Sequence, residues 1–155
     1  MEFYTESMVP FGCQVPRYML AHEDPDGELG QKYPLVFLQY HDKTNINSQN
    51  ILAPALRAVA KEPLLSMNPK DAEARGLAHG DVVRIFNDRG SCKVHVFLTE
   101  GIVPGAVALP SSWTPDCFIE GHYQELTHYK RNDAEEAYSQ SNAAFYDVLV
   151  EVEKA

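Results

Sequence analysis

The stretch Met67-Asn68-Pro69-Lys70-Asp71-Ala72-Glu73-Ala74-Arg75-Gly76-Leu77-Ala78-His79-Gly80-Asp81-Val82-Val83 reads as a strand end, a short helix, a turn and a second strand. Asn68 is a helix N-cap, Pro69 takes the first helical position and Asp71 places an acid in the first turn. Gly76 closes a helix of about two turns. Gly80-Asp81 then turns the chain into Val82-Val83-Arg84-Ile85-Phe86, a β-rich run. Upstream, Leu64-Leu65-Ser66-Met67 predicts a strand. Downstream, Asp88-Arg89-Gly90 predicts a hairpin turn into Cys92-Lys93-Val94-His95-Val96-Phe97-Leu98, which alternates polar and apolar at its start.

Further out, Pro34-Leu35-Val36-Phe37-Leu38-Gln39-Tyr40 is nearly all apolar, which predicts a strand buried on both faces. It runs into His41-Asp42-Lys43-Thr44-Asn45-Ile46-Asn47-Ser48-Gln49-Asn50, a polar loop whose only apolar member is Ile46. A short helix follows, starting near Pro54, with Leu52, Leu56 and Val59 on one side. Pro104-Gly105 turns the chain into Ala106-Val107-Ala108-Leu109, and the irregular segment from Pro110 to Asp116 holds the only tryptophan, Trp113. Gly121 to Ser141 is polar and partly helical, and Phe145 to Val152 predicts a closing strand with Val148, Val150 and Val152 facing one way. Met1 to Lys32 shows no sustained period and reads as an extended arm. Five or six short strands with two small helices imply a closed β-barrel.

Composition sets the outer limits. A chain of 155 residues, 45% hydrophobic and 23% charged, supports one ordinary core. Its net charge of −9 and pI near 5.0 repel a phosphate backbone, so no nucleic-acid partner is expected. No apolar run reaches the roughly 20 residues of a membrane helix, and Met1-Glu2-Phe3-Tyr4-Thr5-Glu6 carries acid where a signal peptide carries Lys or Arg. The expectation is a soluble protein without membrane insertion.

Cys13, Cys92 and Cys117 fit neither a disulfide framework nor a zinc site, and no two histidines stand at i, i+4. The glycine-rich phosphate loops and the G-x-S-x-G elbow are absent. Asp24-Pro25-Asp26-Gly27-Glu28 lacks calcium-loop spacing and reads as an acidic turn.

The segments from Met67 to Val83 and Asp88-Arg89-Gly90, in this order, resemble the Asn-Pro-x-Asp-Ala, Gly-Ile and Gly-Asp-x-Val signature of the C-terminal dinucleotide-binding domain in the dimethyl sulfoxide reductase family of molybdenum and tungsten oxidoreductases. Other double-psi barrels share pieces of that signature. The polar loop after the first strand and Gln124-Glu125-Leu126-Thr127, similar to the family's Asn-x-Leu-Thr, set this family apart. Glu2-Phe3-Tyr4-Thr5-Glu6-Ser7 is similar to the family segment that follows a Ser-Gly-Lys and introduces the final domain. The chain departs from the family in carrying Lys43 and Asn47 where Arg and His are frequent, Gln124 in place of Asn, and Tyr146 near the position of a Lys found in nitrate reductases.

The resemblance implies a mainly β fold, a six-stranded double-psi β-barrel with a few short helices over residues 34–155. Residues 1–33 would be an arm crossing from an upstream domain, with Met1 a cut or cloned start. It implies bis(molybdopterin guanine dinucleotide), carrying Mo or W in the intact enzyme, as the cofactor that the barrel orients and buries. The isolated domain would retain no cofactor and have no catalytic activity. The implied partners are the remaining domains of the catalytic chain and an iron–sulfur electron-transfer subunit. Two rivals stand beside this reading: a free-standing barrel subunit like that of formylmethanofuran dehydrogenase, and a protein-interaction barrel like the amino-terminal domains of AAA ATPases. The second would show an exposed apolar groove.

Each candidate site residue has a plain structural reading beside the functional one. Asn45, Asn47, Ser48 and Gln49 offer amides and a hydroxyl to phosphates and base edges, and four such groups exceed what a turn needs. Lys43 supplies the local cation, and His41 is placed to reach a phosphate or a pterin. Asp71 could accept the two donors of a guanine edge, but a capping-box role three residues after Asn68 is the stronger reading. Trp113 either packs on the cofactor or seals the barrel mouth. Gln124 follows from the Asn-x-Leu-Thr resemblance. His79 reads as solvent-exposed, His95 has no readable partner, and no metal ligand is expected. Gly90-Ser91 resembles the self-cleaving pair of aspartate decarboxylase, although turn chemistry accounts for it.

Overall fold

Strand β2 (Leu64–Met67) pairs with two neighbours at once, and this closes the barrel. It runs antiparallel to β5 (Ala106–Pro110) and parallel to β4 (Ser91–Leu98). From β5 the sheet continues through β1 (Leu35–Tyr40), β7 (Leu149–Lys154) and β3 (Val82–Phe86) back to β4. A two-residue strand, β6 (Glu120–Gly121), adds to β4 outside this six-stranded ring. The computed structural model describes residues 3–16, 18, 20–51, 53–130 and 147–155. The helices α1 (Glu28–Lys32), α2 (Pro54–Val59) and α3 (Pro69–Glu73) are each five or six residues long. The mainly β, closed six-stranded architecture expected from the sequence is the one observed.

Alternation fills the lumen. Leu65 and Met67 of β2, Val83 and Ile85 of β3, and Val107 and Leu109 of β5 are all fully buried, while the residues between them on β2 and β3 face outward. Each such aliphatic side chain contributes about 1.5–3 kcal/mol on leaving water. Asn68 caps α3 as expected, its Oδ1 accepting from the Lys70 amide at 3.0 Å, and the chain leaves through Gly76 at φ 64°, a left-handed conformation that favours glycine.

Five expectations need correction. β1 is buried on one face only: Leu35 and Phe37 point into the core, whereas Leu38 and Tyr40 lie on the barrel's outer wall and are 40% and 42% exposed. The amino-terminal arm is not wholly irregular. A 3-10 helix spans Glu6–Phe11 and α1 spans Glu28–Lys32, both too short to print a period on the sequence. Val59, expected on the apolar side of α2, is 76% exposed, because the helix ends there. The last strand starts at Leu149 and runs to Lys154, and both Leu149 and Val150 are buried, since Glu23 from the arm covers the outer side at the Leu149 amide. Asp71 does not fold back into a capping box. Its Oδ2 accepts the Gly105 amide at 2.9 Å, a long-range donor that competes for the carboxylate. Phe145, Tyr146 and the helical part expected in 131–141 lie outside the described residues.

A buried polar clasp holds the arm to the barrel. Glu23, only 4% exposed, accepts both terminal nitrogens of Arg89 and the Leu149 amide. Burial raises the Glu23 pKa, but these three donors outweigh it and hold the carboxyl below its usual value. Arg89 Nε and Asn87 Nδ2 both donate to the Leu126 carbonyl, so the 87–89 turn is fixed from two sides.

Candidate functional site

Parallel pairing places the two irregular loops side by side. β1 and β5 run in the same direction with Tyr40 opposite Pro110, so the segments that follow both strands leave at one end of the barrel. The Ser111 amide donates to the Tyr40 carbonyl at 2.8 Å and holds that junction.

The loop after β1 is built from local turns. The Thr44 amide donates to Asp42 Oδ1 at 3.0 Å, and the Gln49 amide to the Ile46 carbonyl at 2.9 Å. Asn47 and Asn50 have φ of 51° and 69°, a region asparagine enters more readily than most residues. His41, Lys43, Asn47, Ser48 and Gln49 are exposed, so their donors and acceptors face outward. Asn45 is 6% exposed, and its Nδ2 and the Thr44 Oγ1 are buried without a hydrogen-bond partner. Each such atom costs about 1–3 kcal/mol unless a ligand or water satisfies it.

Trp113, in the loop after β5, is 2% exposed and its Nε1 is likewise buried without a partner. Arg57 of α2 lies over the indole with its guanidinium carbon 3.8 Å from the ring centre. The same Arg57 donates through Nε to the Ile51 carbonyl and through Nη1 to the Ala60 carbonyl at 3.1 Å, which ties the end of the first loop to the second. A third segment joins them. His122 Nε2 lies 3.0 Å from the Trp113 carbonyl, and since a carbonyl only accepts, Nε2 carries the proton and Nδ1 is free to accept the Gln124 amide. Tyr123 Oη accepts the Ser112 amide at 3.1 Å. The 3-10 turn Tyr123–Leu126 thus presents Gln124, which is exposed and accepts from Thr127 Oγ1, beside Trp113.

Eight of the nine candidates, His41, Lys43, Asn45, Asn47, Ser48, Gln49, Trp113 and Gln124, therefore gather at one rim. Asp71 does not join them. It bonds Gly105, just ahead of β5, while Trp113 follows the far end of that strand about 16 Å away. Sequence reading missed Arg57, although it is the only Lys or Arg between Lys43 and Lys61, and missed His122 and Tyr123, although the Gln124-Glu125-Leu126-Thr127 motif begins at the next residue.

Among the described residues no group of His, Cys, Asp and Glu could hold a metal, and no helix is long and apolar enough to cross a membrane. His95, unpartnered in the sequence reading, lies 2.7 Å from Glu62. Cys92 is no nucleophile: burial, helped by the Glu125 charge, pushes its thiol up to about 12.

A closed barrel with a polar rim, buried polar atoms without partners and a stacked Arg–Trp pair offers donors that an acceptor-rich ligand could meet. Residues 35–143 match the family model described as "Molydopterin dinucleotide binding domain", and the chain belongs to that family. A Halobacterium salinarum protein described as the catalytic chain of a dimethyl sulfoxide reductase is 40% identical over 142 residues, covering 92% of this chain and 16% of the relative. The dimethyl sulfoxide/trimethylamine N-oxide reductase of Cereibacter sphaeroides is 34% identical over 115 residues, 70% of this chain and 14% of that one. The chain thus spans between about a tenth and a sixth of the length of the curated relatives it matches. Acetylene hydratase from Pelobacter acetylenicus superposes with a TM-score of 0.80 over 99% of this chain and 23% of that one, at 19% identity, a likeness of fold.

Proposed function

We propose that residues 34–155 are the closing barrel of a molybdopterin oxidoreductase catalytic chain, with residues 1–33 as the crossover from the domain before it. The observation that carries this is the set of three buried polar atoms without partners, Thr44 Oγ1, Asn45 Nδ2 and Trp113 Nε1, on loops that share one rim. Two N–H donors and a hydroxyl, with Arg57 and Lys43 near them in the chain, suit a ligand rich in acceptors, such as a diphosphate and a pterin carbonyl. The residues present therefore fit the group.

Asn45, Asn47, Ser48, Gln49 and Gln124 would hold the dinucleotide by amide and hydroxyl contacts, with Lys43 balancing phosphate charge and His41 in reach of a phosphate or a pterin. Trp113 and Arg57 exclude water from the floor of the rim. Asp71, engaged by Gly105 at the other end of β5, would contribute to fold and not to this contact. When bound, the cofactor supplies the redox centre, a molybdenum or tungsten held by its dithiolene sulfurs; the barrel orients and buries it and does no chemistry alone. The form that suits this reading is bis(molybdopterin guanine dinucleotide), with electrons exchanged through an iron–sulfur partner protein.

The test is metal analysis and acid release of nucleotide from the full catalytic chain, unaltered and with Asn45, Ser48 and Gln49 all changed to Ala. Molybdenum or tungsten with two guanosine monophosphates per chain is expected in the first, and a loss of at least about tenfold in the second. Full retention in the triple variant rejects the rim as the site, and a nucleotide other than guanosine rejects the guanine form.

A further inference from the structure

The turn between β3 and β4, residues 87–91, stands between the arm and the candidate rim. On one side the two terminal nitrogens of Arg89 hold the buried carboxylate of Glu23. On the other, Arg89 Nε donates to the Leu126 carbonyl at 2.8 Å, and Asn87 Nδ2 donates to the same oxygen at 2.9 Å. A guanidinium is planar and rigid, so the plane that Glu23 imposes on Arg89 also sets the direction of its Nε–H. Packing leaves the turn no slack against residues 121–126. A Cβ added at Gly90 would stand 2.9 Å from Glu125 Cβ, and one at Gly121 would overlap the Ser91 carbonyl oxygen.

The same segment pins the loop after β5. Tyr123 Oη accepts the Ser112 amide at 3.1 Å, and His122 Nε2 donates to the Trp113 carbonyl at 3.0 Å. Ser112 has φ 77°, a left-handed conformation that costs a serine free energy and persists only where its surroundings hold it. Both of these bonds come from residues 122 and 123. The backbone at Ser112 therefore has a pinned arrangement and a relaxed one, and the position of the Tyr123–Leu126 turn selects between them. Trp113, whose Nε1 is buried without a partner, is the next residue and turns with it.

We propose that Arg89 is a positioning residue for the rim, coupling the seating of Glu23 on the arm to the pinned backbone at Ser112 and so to the direction of the Trp113 indole. The rim is thereby set for its ligand only while the arm is seated. The inference rests on the cofactor reading for what the rim binds, and on the geometry alone for the coupling.

The experiment is hydrogen exchange, read by mass spectrometry on the full catalytic chain, unaltered and as Glu23→Gln, Tyr123→Phe and the double variant. Glu23→Gln is expected to speed exchange in peptides spanning 111–118 at least about fivefold, although its partners Arg89 and Leu149 lie outside them. Tyr123→Phe removes the acceptor of the Ser112 amide and is expected to do the same. Adding Glu23→Gln to it is expected to gain no more than about twofold, because the coupling is already cut. Val96→Ala is the control: it opens a cavity in the lumen and touches none of these bonds, so the 111–118 rates are expected to stay within about twofold. Unchanged rates at 111–118 in Glu23→Gln overturn the proposal, as does an equal gain from Glu23→Gln in both backgrounds, or an equal gain in Val96→Ala. If Glu23→Gln does not fold, Arg89→Lys takes its place, keeping a cation for Glu23 while giving up the fork to Leu126, with the same expectations and refutations. Molybdenum or tungsten content of the unaltered chain separates the two readings. Coupled exchange without metal sinks the cofactor reading and leaves the coupling standing; metal without coupled exchange does the reverse.

Discussion

The guanidinium of Arg57 stacks on the indole of Trp113 at 3.8 Å, joining a helix after the first polar loop to the loop that follows β5. A helix of six residues has little stability of its own, so α2 depends on such a contact. Arg57→Lys keeps the charge but loses the planar stack and the fork that binds Ile51 and Ala60. The expected outcome is a loss of about 1–2 kcal/mol in urea unfolding and a shift in the emission of Trp113, the only tryptophan.

Thr44→Val should act in opposite directions on the empty and the loaded protein. Its Oγ1 is buried without a partner, so an isosteric methyl removes a desolvated hydroxyl and should leave the empty protein as stable or raise its stability by about 1 kcal/mol. Cofactor content of the full catalytic chain should fall in the same variant. Thermal unfolding of the empty protein and metal analysis of the loaded one check the two halves; a destabilised empty protein would mean that Thr44 has a structural partner.

Glu23 gives the fold an acid-sensitive clasp. Its folded-state pKa is held below the ordinary 4.5, so the folded chain binds fewer protons there than the unfolded one. The stabilisation is complete above 4.5 and is lost as pH falls through the lower, folded value. Glu23→Gln leaves Arg89 without its anion, and the expected cost is about 3 kcal/mol at neutral pH. Urea midpoints measured from pH 6 down to 3 should fall less steeply in the variant than in the unaltered protein.

Cysteine chemistry should divide the three thiols. Cys92, 1% exposed with its pKa pushed up to about 12, stays unmodified by iodoacetamide at pH 8 while the protein is folded, whereas the half-buried Cys13 and Cys117 react. Peptide mapping after brief alkylation reads this directly, and modification of Cys92 at the same rate as Cys117 would show that the β4 wall opens readily.

Elements whose signals lie within a few residues of each other were legible. The cap of α3 joins Asn68 to Lys70, its exit is Gly76, and the hairpin of β3 and β4 turns at Asp88-Arg89-Gly90, all within one short window. Composition also marked the loop after β1, yet it could not separate buried Asn45 from exposed Asn47, because both are asparagines in one polar run.

Long-range partners were not legible. Asp71 takes the Gly105 amide across 34 positions in place of its own helix end, and Arg57 finds Trp113 in a loop on another strand. The apolar residues of β1 told of burial on both faces, while closure of the ring buries Phe37 and leaves Leu38 outside. Hydrophobic periodicity and turn chemistry are properties of neighbours in the chain, so the sequence by itself determined the six strands of the ring, the helices α2 and α3 and the resemblance to a cofactor-binding family. Which donors end up unpartnered at one rim, and which apolar face stays open, depends on strand order and register, and only the tertiary structure decided those.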